Sequence, residues 1–213
     1  MAEDIVGILL AAGRGVRFDP SGHVHKLLAT LPGGTVPLAV AAASARSLRA
    51  SVGRVIAVVP DEDSTQQQEL RALLLAEGCS LLRCTATPQE AGTGRSIACG
   101  VQASADASGW IVALADMPYL RAETIGRVRA ALSAGAVTAA PVYRGRRGHP
   151  VGFGPSCGPA LQALRGDSGA RALLETYPPQ TIAVDDPGIL QDVDHPSDLR
   201  AAGTDVPPDG AFP

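Results

Sequence analysis

The chain has 213 residues, of which 46% are hydrophobic and 18% charged, and its formal net charge is −3. That length and balance suit one large folded domain with a substantial core, and the acidic balance excludes broad electrostatic attraction to nucleic acid or to an anionic membrane. No window approaches the roughly 18 consecutive apolar residues of a membrane span, so any anion the chain binds must be held by a local site.

Cys79, Cys84, Cys99 and Cys157 form no CxxC pair, and nothing else has zinc-site spacing. The first apolar run follows the acidic Glu3 and Asp4 and is only a few residues long, unlike a secretory signal. The expectation is therefore reduced thiols and a cytoplasmic protein.

In chain order, Ile5 to Leu10 is an apolar run of strand length that stops at Ala11, Ala12 and Gly13, and Arg14, Arg17 and Lys26 follow in a glycine-containing loop. Small residues let backbone N–H groups approach an anion, and the three cations can supply the charge that a triphosphate needs. The same residues could equally serve an ordinary strand-to-helix turn. Neither GxxxxGK[ST] nor a complete GxGxxG is present.

LLAAGRGVRF followed by KLLA resembles the opening signature of the MobA-like nucleotidyltransferases, and within them the molybdenum cofactor cytidylyltransferase branch. The resemblance implies an α/β fold, Rossmann-like with three α/β/α layers and a mostly parallel sheet. It also implies that Leu10, Ala11, Ala12, Gly13, Arg14, Gly15 and Lys26 bind the nucleotide, with Arg17 and Lys26 among the catalytic groups. The spacer FDPSGHVH between arginine and lysine is longer than is usual in the family.

Further on, Val36 to Ala50 has helix-forming composition with Pro37 near its first turn, and Val55 to Val59 reads as a strand buried on both faces. Ser64 with Gln67 suggests a capping box opening a helix through Leu75 that ends near Gly78, and Leu81 and Leu82 suggest a short strand. This alternation argues for parallel βαβ units with right-handed crossovers.

Gly92, Thr93 and Gly94 ahead of a helix would aim N–H groups and the positive helix end at a ligand, or form a plain glycine loop. GTGRSIACGV resembles the family's second nucleotide motif, which implies that Gly94 and Ser96 face the nucleotide. Trp110 to Ala115 is an apolar strand ending in Asp116, where open α/β sheets bind ligands. Asp116 could instead cap a helix or brace the turn at Pro118. LADMP is close to the family motif whose aspartate holds the catalytic Mg²⁺.

Thr124 to Leu132 reads as a helix, and Val137 to Tyr143 as a strand that Pro141 makes irregular or places at an edge. The basic loop after it, holding Arg144, Arg146, Arg147 and His149, is a solvated surface on the bland reading. GHPVGF resembles the family's GHP motif, which implies that His149 and Pro150 contact the acceptor. His23 and His25 lie in a polar loop and are expected to be exposed.

Pro159 to Leu164 is expected to form a short helix, and Asp167 or Ser168 can cap the helix that follows. GDSGAR resembles a family hallmark, implying that Asp167 and Arg171 shape the acceptor pocket. After a last short strand, Ile182 to Val184, Asp192, Val193 and Asp194 place both carboxylates on one face if extended. Hard oxygen ligands suit Mg²⁺ on a triphosphate, while helix capping at Ser197 or a plain acidic surface are the other readings. DVDHPSDL resembles the family's closing motif, and Asp116 with Asp194, and Asp192 second, are the expected metal ligands.

Together the resemblance implies transfer of CMP from CTP to the phosphate of molybdopterin or the molybdenum cofactor, with Mg²⁺ as cofactor and Mn²⁺ as the alternative ion. A molybdoenzyme or its maturation chaperone is an implied partner; nucleic acid and membrane are not. CTP over GTP rests on Ala12, since the guanylyltransferase branch usually reads LAGG. The alternatives are another nucleotidyltransferase, using GTP or a different phosphorylated acceptor, and a non-catalytic cofactor carrier. One domain is expected over residues 1–202, with a flexible tail at 203–213.

Overall fold

Ile5–Leu10 forms strand β1 because every side chain in it is apolar or absent and neighbours cover both of its faces. In this computed structural model the described residues are 4–13, 15, 17–33, 35–85, 92–167 and 169–199. Arg14, Ser168, residues 86–91 and the expected tail at 203–213 lie outside them.

After β1 come helix α1 (Val40–Arg49), β2 (Arg54–Pro60), α2 (Thr65–Ala76), β3 (Ser80–Cys84), α3 (Thr93–Gln102), β4 (Gly109–Leu114) and α4 (Ala122–Ser133). The second half adds β5 (Thr138–Tyr143), β6 (Arg146–Arg147), β7 (Val151–Phe153), α5 (Gly158–Gln162), α6 (Arg171–Thr176) and β8 (Gln180–Ala183). One sheet runs β3-β2-β1-β4-β7-β5-β6, with β8 alongside β5. β1, β2, β3 and β4 are mutually parallel, as are β5 and β8, whereas β7 is antiparallel to both β4 and β5.

Alternation along the strands divides the core. Val55, Ala57 and Val59 of β2 and Ile111 and Ala113 of β4 face one buried cluster, with Val40, Leu48, Leu70 and Ile125 from α1, α2 and α4. Ile56, Val58, Trp110 and Val112 face the other, with Ile97, Val101, Leu161 and Leu173 from α3, α5 and α6. The expected three-layer α/β/α arrangement is thus observed. Trp110 spends its indole N–H on the buried Ser104 hydroxyl at 3.0 Å, so the aromatic body packs without an orphaned donor.

Ser64 caps α2 by accepting from the Gln67 amide at 3.2 Å, as its spacing indicated, and the chain turns out of that helix at Gly78 with φ +78°. Three expectations change. α1 begins at Val40 rather than Val36, because Leu31 and Val40 donate to the carbonyls of Leu38 and Ala29 and draw 38–40 into an extended pairing with 29–31. Pro141 is not at an edge: β5 has β7 and β6 on one side and β8 on the other, and the Pro141 carbonyl accepts from Gly148. Cys84 and Cys99 are not free thiols but are joined in a disulfide, because α3 folds back over the end of β3 and brings their Cα atoms to 6.3 Å. Cys79 and Cys157 are free and buried. The disulfide withdraws the cysteine argument for a cytoplasmic location; no described helix is long and apolar enough to cross a membrane.

Candidate active site

The parallel strands β1 and β4 end side by side, Leu10 opposite Leu114, and Ala115 N–H donates to the Leu10 carbonyl at 3.0 Å. The chain leaves both strands at this sheet end, where open α/β sheets gather ligand-binding loops. Asp116 follows β4 by two residues, and the Asp116 carbonyl accepts from Val193 N–H at 2.8 Å, so the last segment is stitched to the end of the central strand. Residues 191–194 are not a regular strand, yet Val193 is fully buried and Asp194 comes to the Asp116 side. Asp198 fixes that segment by accepting from Asp194 N–H and His195 N–H at 2.9 and 2.7 Å.

Lys26 opens a 3-10 turn, Lys26–Leu28, capped by His25, whose Nδ1 accepts from Leu27 N–H at 3.3 Å. His25 is thereby partly covered rather than free in solvent, and burial, reinforced by the neighbouring Lys26 charge, depresses its pKa. Asp19 organises the long spacer before it, accepting from the Ser21 hydroxyl and from the amides of Ser21 and Val24. Those bonds, that from the Ser21 hydroxyl foremost, hold its carboxyl down at about 2.

The lysine side chain is buried and reaches both acidic segments. Its Nζ donates to Asp116 Oδ2 at 2.6 Å and to Asp194 Oδ1 at 3.2 Å. Arg17, 72% exposed, contacts the other Asp194 oxygen, Oδ2, at 2.7 Å. Burial works against the lysine charge, but Asp116 and then Asp194 outweigh it and raise the Lys26 pKa. Asp116 Oδ1 is buried and has no hydrogen-bond partner among the described residues. Asp192 lies close enough that burial, with Asp194 and Asp116, raises its pKa. Arg17, Lys26, Asp116 and Asp194 therefore form one contiguous charged cluster, although Lys26 and Asp194 stand 168 positions apart in sequence.

Beside it opens a cleft of about 450 Å³. Leu10, Ile97, Val112, Leu114, Val151 and Phe153 give it apolar walls, and Arg147, His149 and Arg171 line it as well. His149 donates its amide to the Ile189 carbonyl and precedes a cis peptide to the buried Pro150. Its Nδ1 is buried without a hydrogen-bond partner among the described residues. Burial lowers its pKa, with Asp116 opposing and Arg147 assisting, which disfavours the charged ring.

Other expected residues stand differently. Ala11 is buried and donates to the Val58 carbonyl; Ala12 is partly covered and Gly13 exposed. The Gly94 amide donates to the Gly166 carbonyl at 2.9 Å, and Ser96 Oγ bonds the Gly92 carbonyl at 3.3 Å. These two polar groups are engaged inside the protein, not presented to open space. Asp167 Oδ1 lies 3.4 Å from both the amide and the hydroxyl of Thr93, so it caps the start of α3. Sequence reasoning missed Asp198 and His25 as positioning residues; the SDL of the closing motif and the residue just before the lysine were the available signals.

A family model, the MobA-like NTP transferase domain, matches residues 7–182. The chain belongs to this family. A 115-residue stretch is 34% identical to the purine catabolism protein PucB of Bacillus subtilis (strain 168), covering 51% of this chain and 55% of that protein. The chain thus spans about half the length of the curated relative it matches. Among solved structures, Rv0371c from Mycobacterium tuberculosis H37Rv superposes with a TM-score of 0.74 at 23% identity, over 93% of this chain and 96% of that one. A complex of Rv0371c with manganese gives 0.63 at 20% identity, over 86% and 89%. A nucleotidyl transferase from Methanothermobacter thermautotroptrophicus gives 0.69 at 22%, over 91% and 93%. At those identities the structural likenesses establish the fold.

Proposed function

We propose that this MobA-like chain is a nucleotidyltransferase that moves CMP from CTP onto the phosphate of molybdopterin or the molybdenum cofactor and releases pyrophosphate. The observation that carries the reading is the meeting of Lys26 Nζ with Asp116 and Asp194 at the carboxyl end of the central strands. A triphosphate donor needs cations and a divalent ion in one place, and the cluster offers both kinds of group. In the reaction an oxygen of the acceptor phosphate attacks the α-phosphorus, a new P–O bond forms, and the bond to the pyrophosphate oxygen breaks. The nucleophile is already ionised, so positioning and charge neutralisation do most of the work and no general base is required.

The donor set fits a hard divalent ion: two carboxylates, one with an oxygen that is buried and unpartnered among the described residues. Asp116 and Asp194 would hold Mg²⁺ or Mn²⁺, which would supply Lewis-acid stabilisation of the phosphate oxygens. Arg17 and Lys26 would bind phosphate, and the loop from Leu10 to Gly15 the nucleotide, with Ala12 favouring CTP over GTP. The cleft suits an acceptor with an apolar body and an anionic end, its walls from the sheet and its charge from Arg147 and Arg171. In this reading His149 and Pro150 touch the acceptor, Asp167 shapes the pocket by holding α3, residues 1–202 act as one domain, and the protein works in the cytoplasm beside a molybdoenzyme or its chaperone.

The test is to incubate the protein with molybdopterin, or its molybdenum form, and each of the four NTPs with Mg²⁺, and to identify products by mass. The expected product is the cytosine dinucleotide with stoichiometric pyrophosphate. Product only with GTP would move the donor assignment; pyrophosphate only with another phosphorylated acceptor would move the acceptor. No turnover with any pair would sink the enzymatic reading.

A further inference from the structure

All four carboxylate oxygens of Asp116 and Asp194 can be followed. Asp116 Oδ2 and Asp194 Oδ1 converge on the single ammonium of Lys26 at 2.6 and 3.2 Å, and Asp194 Oδ2 is taken by Arg17 at 2.7 Å. Only Asp116 Oδ1 has no hydrogen-bond partner among the described residues, and it is buried. Both oxygens of Asp194 are therefore already paired with protein cations.

We infer that Lys26 is a built-in counter-ion that keeps divalent metal from Asp116 and Asp194 until a triphosphate draws the ammonium away. This rests on reading the cluster as a metal–triphosphate site, and it adds an order of binding to that reading. The Lys26 side chain is only 8% exposed, so an ion arriving at the two carboxylates would meet a poorly hydrated positive charge at the same point. A divalent ion and an ammonium a few ångströms apart repel twice as strongly as two unit charges, and partial burial weakens the screening that would relieve it. Among the described residues these ion pairs set Lys26 and Arg17 against Asp116 and Asp194, charge for charge. A bare divalent ion disturbs that balance. A metal–triphosphate complex does not, because its phosphate oxygens accept the ammonium and guanidinium as the carboxylates release them.

Lysine suits such a displacement better than arginine. Its charge sits on a flexible four-carbon stem, with three donors that can turn from one set of acceptors to another. Two of them serve carboxylates here, and no acceptor among the described residues takes the third, which can meet an incoming oxygen. Lys26 is itself buried, and Gly15, with no Cβ, leaves room beside its stem, where an added Cβ would stand 3.1 Å from Lys26 Cγ.

Binding of Mn²⁺ to the full chain, read by electron paramagnetic resonance of the free ion, tests the inference without turnover. Wild type is expected to bind Mn²⁺ weakly alone and at least 100-fold more tightly with a non-hydrolysable α,β-methylene analogue of CTP. Lys26→Met should bind Mn²⁺ alone at least 10-fold more tightly than wild type, Lys26→Arg should not, and adding Asp116→Asn to Lys26→Met should abolish the gain. Unchanged Mn²⁺ affinity in a folded Lys26→Met, or a gain that survives Asp116→Asn, overturns the inference. If Lys26→Met does not fold, wild type decides: equal Mn²⁺ affinity with the analogue bound and without it also overturns it. If no nucleotide analogue binds, the nucleotidyltransferase reading fails, while the comparison of wild type with Lys26→Met still decides whether the lysine competes with metal.

Discussion

Gly15 is packed against the stem of Lys26: it adopts φ +61°, and a Cβ added there would stand 3.1 Å from Lys26 Cγ. Two constraints thus coincide, a left-handed backbone and a close approach, and only glycine meets both without strain. Gly15→Ala should cost about 1 kcal/mol in backbone strain alone and should displace Lys26 as well. Urea denaturation and steady-state kinetics together check this; the expected result is a modest stability loss with at least a tenfold fall in turnover. A loss of stability with unchanged turnover would show that the contact does not position the lysine.

Asp116→Asn keeps the side-chain shape but removes the charge that pairs with Lys26 at 2.6 Å. From losses of single electrostatic contacts in other enzymes, kcat should drop about 100-fold or more. Pyrophosphate release under saturating nucleotide is the measurement, and near-normal turnover would remove Asp116 from the catalytic set. The loss should appear in kcat more than in nucleotide KM, since Arg17 and Lys26 remain to bind phosphate.

The spacer between Arg17 and Lys26 should respond to acid at a defined point. Its Asp19 carboxyl is held down at about 2, against an ordinary value of 3.8, by the Ser21 hydroxyl and then the Val24 and Ser21 amides. A lowered folded pKa means that the stabilisation is complete above the ordinary value and is lost as pH falls through the folded one. The Ser21 and Val24 amide resonances should therefore hold their neutral-pH shifts down to about pH 4 and move as pH approaches 2. In Asp19→Ala these shifts should already be altered at pH 7, with a several-fold weaker nucleotide response.

The Cys84–Cys99 bond closes a loop between the end of β3 and the middle of α3, across a sequence separation of 15. Loop-closure entropy gives such a link about 3 kcal/mol. Cys84→Ser, or reduction by dithiothreitol, should lower the urea-derived stability by about 2–3 kcal/mol. Mass spectrometry of the alkylated protein counts the thiols. Unchanged stability after verified reduction would show that the packing of α3 on β1 and β2 suffices.

The sheet's first half was legible because strands buried on both faces write themselves as short apolar runs, and Val55–Val59 and Trp110–Ala115 have no competing reading. The charged cluster was legible only as separate pieces. Lys26, Asp116 and Asp194 are each at a loop or strand end, and periodicity says nothing about which ends meet; the family resemblance did. The disulfide was not legible, since cysteines 15 positions apart with no shared motif become neighbours only through the crossover from β3 to α3. The start of α1 was misplaced because helix-forming composition ran back through Val36, whereas hydrogen bonds to Ala29 and Leu31 claimed that stretch. Gly94 and Ser96 were identified through the family resemblance of GTGRSIACGV, but the Gly94 amide bond depends on where Gly166 lies, and the Ser96 hydroxyl turns back to the Gly92 carbonyl.

The bond from Val193 to the Asp116 carbonyl carries a consequence for biosynthesis. A ribosome delivers Asp194 only after Lys26 and Asp116, so a growing polypeptide holds the lysine with one of its two acidic partners until residues 193–194 emerge and dock. The step that brings Asp194 to the charged cluster is the same step that seats Val193 against the carboxyl end of β4.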